Sequence, residues 1–209
     1  MASDVHHPVF ARFMSGLARV EERMGGDKAW RELLGGLGGR VVDVGPGNGV
    51  AFVHYPGTVT EVLAVEPEDY MREQAAEAAA SAPVPVRVVD GLAESIPAED
   101  GSFDAAVTGR VLCSVPDQPA ALAEIRRVLR PGGELRFYEH VVARKPRAAR
   151  AQRTADRLFW IRTFGGCHTS RDTVGAIERA GFEIERLRRF SNPPGAFAAP
   201  TVIGLARRA

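Results

Sequence analysis

The sequence predicts an α/β domain with a mostly parallel sheet and helices on both faces. From residue 40 onward, short runs rich in β-branched residues alternate with longer segments of helical spacing, which is typical of repeated strand–helix–strand units. The chain has 209 residues, of which 45% are hydrophobic and 25% charged, the composition of an ordinary folded domain. We therefore expect one domain over residues 1–209.

The charge balance and the distribution of apolar residues argue against several classes of protein. The 27 basic and 26 acidic residues nearly cancel, which argues against a nucleic-acid partner and against strong capture by anionic membranes. No apolar run approaches the roughly 18 residues of a membrane span, and residues 1–12 do not resemble a secretory leader. We expect a cytoplasmic protein with reduced thiols and no membrane anchor, either a monomer or a weak homodimer.

The predicted elements follow in chain order. Apolar residues at three- and four-residue steps predict a helix from His7 to Leu34, which the glycine-rich stretch 35–39 ends. The predicted strands are Arg40–Val44, Val62–Val65, Val84–Val89, Phe103–Val107, Glu134–His140, Phe182–Phe190 and Thr201–Ala206. The other predicted helices are Tyr70–Ser81, Pro119–Leu129 before the stop Pro131-Gly132-Gly133, Arg144–Arg157, and Thr169–Ala180 with Ser170 as N-cap and Gly181 as stop.

The strongest local signal is the segment Asp43-Val44-Gly45-Pro46-Gly47-Asn48-Gly49, in which the end of the first predicted strand is followed by three glycines at alternate positions. Glycines at alternate positions allow positive φ and a close approach of the backbone to a ligand. The dinucleotide fingerprint Gly-x-Gly-x-x-Gly does not fit, because Val50 occupies the position of its third glycine. The pattern resembles motif I of the class I methyltransferases that use S-adenosylmethionine.

Three later segments agree with this resemblance. Glu66 ends the second strand, where a carboxylate can accept hydrogen bonds from both hydroxyls of a ribose. The loop 91–97 resembles the adenine-holding loop of small-molecule methyltransferases, although many relatives carry Asp where this chain has Leu92. The segment 125–133 resembles the helix and turn before the fifth strand of the same superfamily.

The resemblance implies a Rossmann-like seven-stranded sheet, mostly parallel, with an antiparallel last strand and with S-adenosylmethionine as cofactor. The cofactor-binding residues that it implies are Asp43, Gly45, Pro46, Gly47, Gly49, Glu66, Pro67, Leu92, Ala93, Thr108 and Arg110.

The segments 111–115, 137–141, 166–173 and 180–182 resemble the methyltransferase-like 7 group, which comprises alkyl thiol S-methyltransferases of animals and their bacterial relatives. This resemblance implies methyl transfer to the sulfur of a small-molecule thiol. We expect His140, at the carboxyl end of the fifth strand, to take or orient the thiol proton, with a structural role as the alternative. Arg110 would hold a thiolate or a substrate carboxylate.

The two cysteines do not indicate a metal site by their sequence spacing. Cys113 is interpreted as a small packed apolar residue. Cys167-His168 has no further Cys or His at a chelating step along the chain. We therefore expect no bound metal.

Aromatic residues predict the walls of an acceptor pocket for apolar or aromatic thiols. The expected set is Phe10, Phe13 and Met14 from an N-terminal helical lid (residues 1–36), and Phe159, Trp160 and Phe164 from an insertion over the active site (residues 143–168). Two alternative functions stay open. One is O- or C-methylation of a quinone or of a secondary-metabolite phenol, and the other is a non-catalytic cofactor-binding or RNA-associated module, indicated by the basic run 144–157.

Overall fold

The computed structural model describes residues 27–192 and 199–209, together with Gly16. The first predicted helix is present over Asp27–Leu34 (α1), and the part of the prediction from His7 to Gly26 lies, apart from Gly16, outside the described residues. No helix in the described part of the chain is both long enough and apolar enough to cross a membrane.

One sheet contains all seven strands of the described residues. These are β1 (Gly39–Val44), β2 (Val59–Val65), β3 (Val86–Val89), β4 (Phe103–Gly109), β5 (Leu129–His140), β6 (Phe182–Asn192) and β7 (Ala199–Arg208). Their spatial order is β3-β2-β1-β4-β5-β7-β6. The pairs among β1 to β5 are parallel, whereas β7 runs antiparallel to both β5 and β6. The predicted fold class is confirmed.

Helices cover both faces of this sheet. After α1 come α2 (Asp69–Ala79), α3 (Gln118–Val128), α4 (Pro146–Ala155) and α5 (Thr173–Arg179), and a 3-10 turn spans Phe52–His54. From the end of α4, a π-helical segment (Asp156–Trp160) and a last α-helical turn (Ile161–Thr163) continue the helix without a break.

The core lies in two layers, one on each face of the sheet. Val41 packs with Leu34 of α1 and Ala75 of α2 on one face, whereas its neighbour Val42 packs with Ile125 of α3 and Ile177 of α5 on the other. Successive strand residues are therefore buried on opposite faces. This explains why the strands are continuous apolar runs instead of alternating ones.

The start of β5 differs from the prediction. Pro131-Gly132-Gly133 does not separate helix from strand, because α3 ends at Val128 and β5 begins at Leu129. Phe103 of β4 pairs with Leu129, and Ala105 pairs with Glu134. The residues between those pairs bulge out of the ladder, since β5 has more residues than β4 over this stretch.

The cap of α5 also differs from the prediction. The helix begins at Thr173, and the Asp172 carboxylate accepts a hydrogen bond from the Gly175 N–H at 3.1 Å. Ser170, the predicted cap, instead donates its hydroxyl to Asp156 Oδ2 at 2.6 Å. The buried Asp156 carboxylate also accepts from the Ser170 N–H and from the N–H and hydroxyl of Thr169. It thereby fixes the segment before α5 to the π-helical segment.

This arrangement predicts a large stability effect of Asp156→Ala. The substitution leaves two N–H groups and two hydroxyls without their acceptor, and we expect the free energy of unfolding to fall by about 3 kcal/mol. Asp172→Ala is the matched control, because it removes an exposed cap at a cost of about 1 kcal/mol. Urea unfolding followed by circular dichroism measures both variants, and equal losses would contradict the anchoring role of Asp156.

Candidate active site

The glycine loop leaves β1 at the carboxyl edge of the sheet. Gly45, Gly47 and Gly49 have φ of 66°, 60° and 74°, in the left-handed region that favours glycine. A Cβ on Gly45 would lie 2.6 Å from Cγ2 of Val111, whereas a Cβ on Gly47 would meet no atom within 4 Å. The loop therefore packs tightly against the segment after β4 at Gly45 and faces open space at Gly47, where a ligand can approach its backbone.

Glu66 lies beside this loop, directly after β2. Its Oε2 accepts a hydrogen bond from the Gly47 N–H at 2.9 Å, and its Oε1 accepts one from the Glu68 N–H at 3.1 Å. The residue is only 6% exposed, and burial raises the pKa of its carboxyl group to about 7. Because each carboxylate oxygen has two lone pairs, acceptor capacity remains for the hydroxyls of a ligand.

Asp43 is buried beneath the glycine loop. Its Oδ2 accepts a hydrogen bond from the Tyr55 hydroxyl at 2.8 Å. Burial raises the pKa of Asp43 to about 7, and the nearby charge of Glu66 acts in the same direction. The structure thus shows Asp43 joining β1 to Tyr55, and its predicted contact with a cofactor stays a prediction.

The predicted adenine loop lies at the same edge. A Cβ on Gly91 would lie 2.8 Å from Cγ1 of Val65, which places the loop against the end of β2. Leu92 and Ser95 form an isolated antiparallel bridge that closes a tight turn around the buried Ala93. Glu94 accepts a hydrogen bond from the Asp117 N–H at 3.3 Å and thus ties this turn to the N-terminus of α3.

The end of β4 carries two more of the predicted residues. Thr108 is fully buried, and its hydroxyl has no hydrogen-bond partner among the described residues. Arg110 has a φ of 65°, which is unusual for a residue other than glycine. Its N–H donates to the Tyr138 carbonyl at 2.7 Å, and its guanidinium carbon lies 5.9 Å from the centre of the Tyr138 ring. Arg110 is therefore held at the boundary of β4 and β5.

Glu139 organises the segment after β4, and the sequence analysis did not identify it. The carboxylate is completely buried. Its Oε1 accepts from the N–H groups of Val111 and Leu112 at 3.0 and 3.1 Å, and its Oε2 accepts from the N–H of Cys113 at 3.2 Å. Burial raises its pKa. The sequence feature that could have identified Glu139 is an acidic residue within a predicted buried strand, because a buried charge needs specific hydrogen-bond partners.

Cys113, His140 and Cys167 meet next to Glu139, at the carboxyl ends of β4 and β5. The Cys167 Sγ lies 3.3 Å from His140 Nδ1 and 3.6 Å from the Cys113 Sγ, which is 3.9 Å from the same nitrogen. Their mutual contact lowers the pKa of Cys167 and raises that of Cys113, so the Cys167 thiol ionises first. Cys113 is completely buried, in agreement with its interpretation as a packed residue, and the fold also brings it together with His140 and Cys167, which are distant from it in sequence.

Two of the three aromatic residues of the predicted insertion, Trp160 and Phe164, belong to the segment that leads to Cys167. Trp160 and Phe164 stack with ring centres 4.2 Å apart, and the Phe164 carbonyl accepts the Cys167 N–H at 3.1 Å. Phe159 is 51% exposed. The other predicted pocket residues, Phe10, Phe13 and Met14, lie outside the described residues.

Comparisons with known proteins agree with this geometry. A methyltransferase domain family model matches residues 42–137. The human thiol S-methyltransferase TMT1A is 39% identical over 94 residues, which are 45% of this chain and 38% of that protein. The structure of a geranyl diphosphate methyltransferase in complex with S-adenosylmethionine superposes with a TM-score of 0.68 at 18% identity, and the match covers 96% of this chain and 90% of that one. Residues 42–137 thus match a methyltransferase domain, and the fold of the chain is that of the class I S-adenosylmethionine-dependent methyltransferases.

A second relative of the methyltransferase domain has a different acceptor in its name. The ubiquinone/menaquinone biosynthesis C-methyltransferase UbiE of Methylobacterium nodulans is 34% identical over 167 residues, covering 76% of this chain and 62% of that protein. The chain spans about two fifths of the length of the thiol methyltransferases it matches.

The carboxyl edge of the methyltransferase domain fits its cofactor, S-adenosylmethionine. Open space at Gly47 lets the cofactor lie on the loop backbone, and the remaining lone pairs of Glu66 suit the ribose hydroxyls. The turn around Leu92 and Ala93 follows Gly91, which packs against Val65 next to Glu66, and we expect this turn to hold the adenine. Gly45, Pro46, Gly49 and Pro67 complete the predicted binding set.

A matched pair of glycine substitutions tests the cofactor loop. Gly47→Ala and Gly132→Ala both place alanine at positive φ in open space, so each should cost about 1 kcal/mol of stability. Only Gly47 faces the proposed cofactor space, and we expect its variant to bind S-adenosylmethionine at least tenfold more weakly by calorimetry. Equal affinities of the two variants would contradict the placement of the cofactor on this loop.

The raised pKa of Glu66, about 7, predicts pH-dependent cofactor binding. Ribose hydroxyls donate to the charged carboxylate, so affinity should rise as the pH increases through about 7 and binding near this pH should release a proton. The folding stability of the cofactor-free protein should instead fall over this range. A buried Glu66 with a raised pKa contributes stability below pH 4.5, and this contribution is lost as the pH rises to about 7.

Calorimetry in buffers of different ionisation enthalpy measures this proton release. Glu66→Gln should bind weakly at every pH and should release no proton. The exposed Glu61, changed to Gln, is the control and should bind as the unsubstituted protein does. An affinity that falls with rising pH would contradict hydrogen bonding to a charged Glu66.

Proposed function

We propose that this methyltransferase transfers the methyl group of S-adenosylmethionine to the sulfur of a small-molecule thiol. The observation that carries the proposal is the position of His140, partly exposed and in contact with two thiols at the carboxyl edge of the sheet. The similarity to thiol S-methyltransferase TMT1A supports the same acceptor class.

The carboxyl edge of the sheet divides into a donor side, which would hold the cofactor that supplies the methyl group, and an acceptor side, which would hold the thiol. The glycine loop and Glu66 follow β1 and β2, whereas His140 ends β5, with β4 between β1 and β5. Neighbouring strands lie about 4.8 Å apart, so β1 and β5 are about 10 Å apart. This distance leaves room for the reacting end of the cofactor and a small acceptor side by side.

The available proton acceptors favour a thiol over a hydroxyl. Glu139 precedes His140 in β5, but its carboxyl group is completely buried and accepts three backbone N–H groups, so we do not assign it as the base. His140 is then the residue that takes or orients the acceptor proton. A thiol needs less help than a hydroxyl, because its ordinary pKa near 8.5 leaves a few per cent ionised at neutral pH.

The surroundings of His140 suit this reaction. Bound S-adenosylmethionine supplies a methyl group on a positively charged sulfur, and attack by a thiolate disperses both charges. Cys167 is buried and follows the stacked rings of Trp160 and Phe164 along the chain, and a dry site favours such a reaction. Arg110, fixed at the end of β4, can hold the thiolate or a substrate carboxylate before transfer.

C-methylation of a quinone-type acceptor is the second candidate, because the match to UbiE covers more of this chain. Proton removal from carbon or from a phenol depends more strongly on a base than ionisation of a thiol does. The two candidates therefore differ in how activity responds to the loss of His140.

A turnover assay tests the acceptor class. S-adenosylhomocysteine formation is measured with aliphatic and aromatic thiols and with matched alcohols, phenols and amines. We expect product with thiols only. Turnover with phenols or quinols and none with thiols would leave the cofactor site in place and would overturn the proposed acceptor.

A second prediction concerns His140→Ala. With a thiol acceptor, we expect kcat/KM at pH 7 to fall about 100-fold, and a substantial part should return at pH 9 because the thiol ionises in solution. His54→Ala, which changes a histidine outside the cluster, should retain activity. Complete loss of activity at both pH values would favour the quinone-type acceptor.

A further inference from the structure

We propose that Cys113, His140 and Cys167 bind a zinc ion whose fourth coordination position accepts the substrate thiolate. Two thiolates and an imidazole are ligands that Zn²⁺ prefers, and three protein ligands with one open position are typical of catalytic zinc sites. Binding of the ion stands on the geometry of the cluster alone. The occupant of the fourth position rests on the proposed function.

The distances in the cluster are those of a tetrahedral site. Zinc bonds of about 2.3 Å to sulfur and about 2.0 Å to nitrogen require about 3.8 Å between two sulfurs and about 3.5 Å between sulfur and nitrogen. The Sγ atoms are 3.6 Å apart, and His140 Nδ1 lies 3.3 and 3.9 Å from them. Shifts of a few tenths of an ångström would complete the site. A disulfide, by contrast, requires sulfurs about 2.05 Å apart.

The scaffold holds the three side chains in place before any ion binds. Glu139 fixes the backbone of Cys113 from β5, and the Cys113 carbonyl accepts the His168 N–H at 2.8 Å. Arg171 Nη1 donates to the carbonyls of Leu112 and Val115 at 3.0 and 2.7 Å. Hydrogen bonds thus join the Cys113 segment both to the strand of His140 and to the segment of Cys167, which favours a defined coordination geometry.

Charge in the cluster also favours a divalent cation. Two thiolates neutralise Zn²⁺, and the thiolate of a bound acceptor adds one negative charge. The guanidinium of Arg171, which donates to the carbonyls of Leu112 and Val115 on either side of Cys113, places a positive charge next to the cluster. Glu139 does not compete as a ligand, because its oxygens already accept three N–H groups.

Such a site would activate the acceptor thiol without proton transfer to His140, which would bind the ion through Nδ1 and position the acceptor in that way. A thiol that binds the open position loses its proton to solvent and stays nucleophilic as a thiolate. Its sulfur forms a bond to the methyl carbon as the bond from that carbon to the sulfonium sulfur breaks. The electron pair of the broken bond stays on the sulfonium sulfur, and the neutral thioether product leaves the metal.

Metal content and cobalt spectra test the site directly. The full chain, reduced with a phosphine and incubated with zinc sulfate, should retain one zinc ion per chain by mass spectrometry of the metal. Cobalt(II) in its place should show a thiolate charge-transfer band and tetrahedral ligand-field bands. Addition of 2-mercaptoethanol should shift the ligand-field bands, because its thiolate enters the fourth position.

Variants assign the ligands. Cys113→Ser, Cys167→Ser and His140→Ala should each lose most of the zinc, whereas His54→Ala should keep it. Circular dichroism reports whether each variant folds, and competition of the unsubstituted protein with a chromophoric zinc chelator tests the site without any substitution. Failure of the reduced, unsubstituted protein to take up zinc would overturn the proposal, as would retention of full zinc content by Cys113→Ser and Cys167→Ser.

The same samples separate this inference from the proposed function. Zinc binding without methylation of any thiol would keep the metal site and overturn the acceptor. Thiol methylation that is unchanged in the zinc-free protein, or recovery of active protein with a Cys113–Cys167 disulfide, would keep the function and overturn the metal site.

Discussion

The buried carboxylate of Glu139 is the constraint on which the acceptor side of the active site depends. It joins the C-terminal end of β5 to the segment after β4, because it accepts hydrogen bonds from three backbone N–H groups of that segment. Each of these groups would be costly to leave unsatisfied in the interior. One of these groups belongs to Val111, against which Gly45 of the glycine loop packs. A single buried carboxyl group therefore connects β5 to the segment of Cys113, which in turn packs against the glycine loop.

The donor and acceptor sides are built differently. Backbone geometry at Gly47 and one carboxylate, Glu66, form the proposed donor side, and neither depends on what receives the methyl group. The acceptor side instead contains two thiols and an imidazole from three separate segments. The chain matches both a thiol methyltransferase and a quinone C-methyltransferase, so a shared donor side does not by itself identify the acceptor.

The sequence predicted the fold class and the backbone conformation of the glycine loop because both depend on local patterns. Strands buried on two faces are continuous apolar runs, and a loop at positive φ requires glycine at fixed positions. The sequence did not predict the bulge after Leu129, where two strands differ in residue count, or the Asp156 carboxylate that ties Ser170 to the π-helical segment. It also missed the cluster of Cys113 and Cys167, since only the sheet topology brings those residues together.

The most direct test of the central claim is an internal competition between two acceptors in one molecule. With 4-mercaptophenol and S-adenosylmethionine carrying a deuterated methyl group, mass spectrometry identifies the atom that receives the label. The thiol and the hydroxyl belong to the same molecule and enter the site together, so the ratio of labelled thioether to labelled ether reports which atom reacts. We predict labelled thioether and no labelled ether. Predominant labelling of the phenol oxygen or of ring carbon would contradict sulfur as the acceptor.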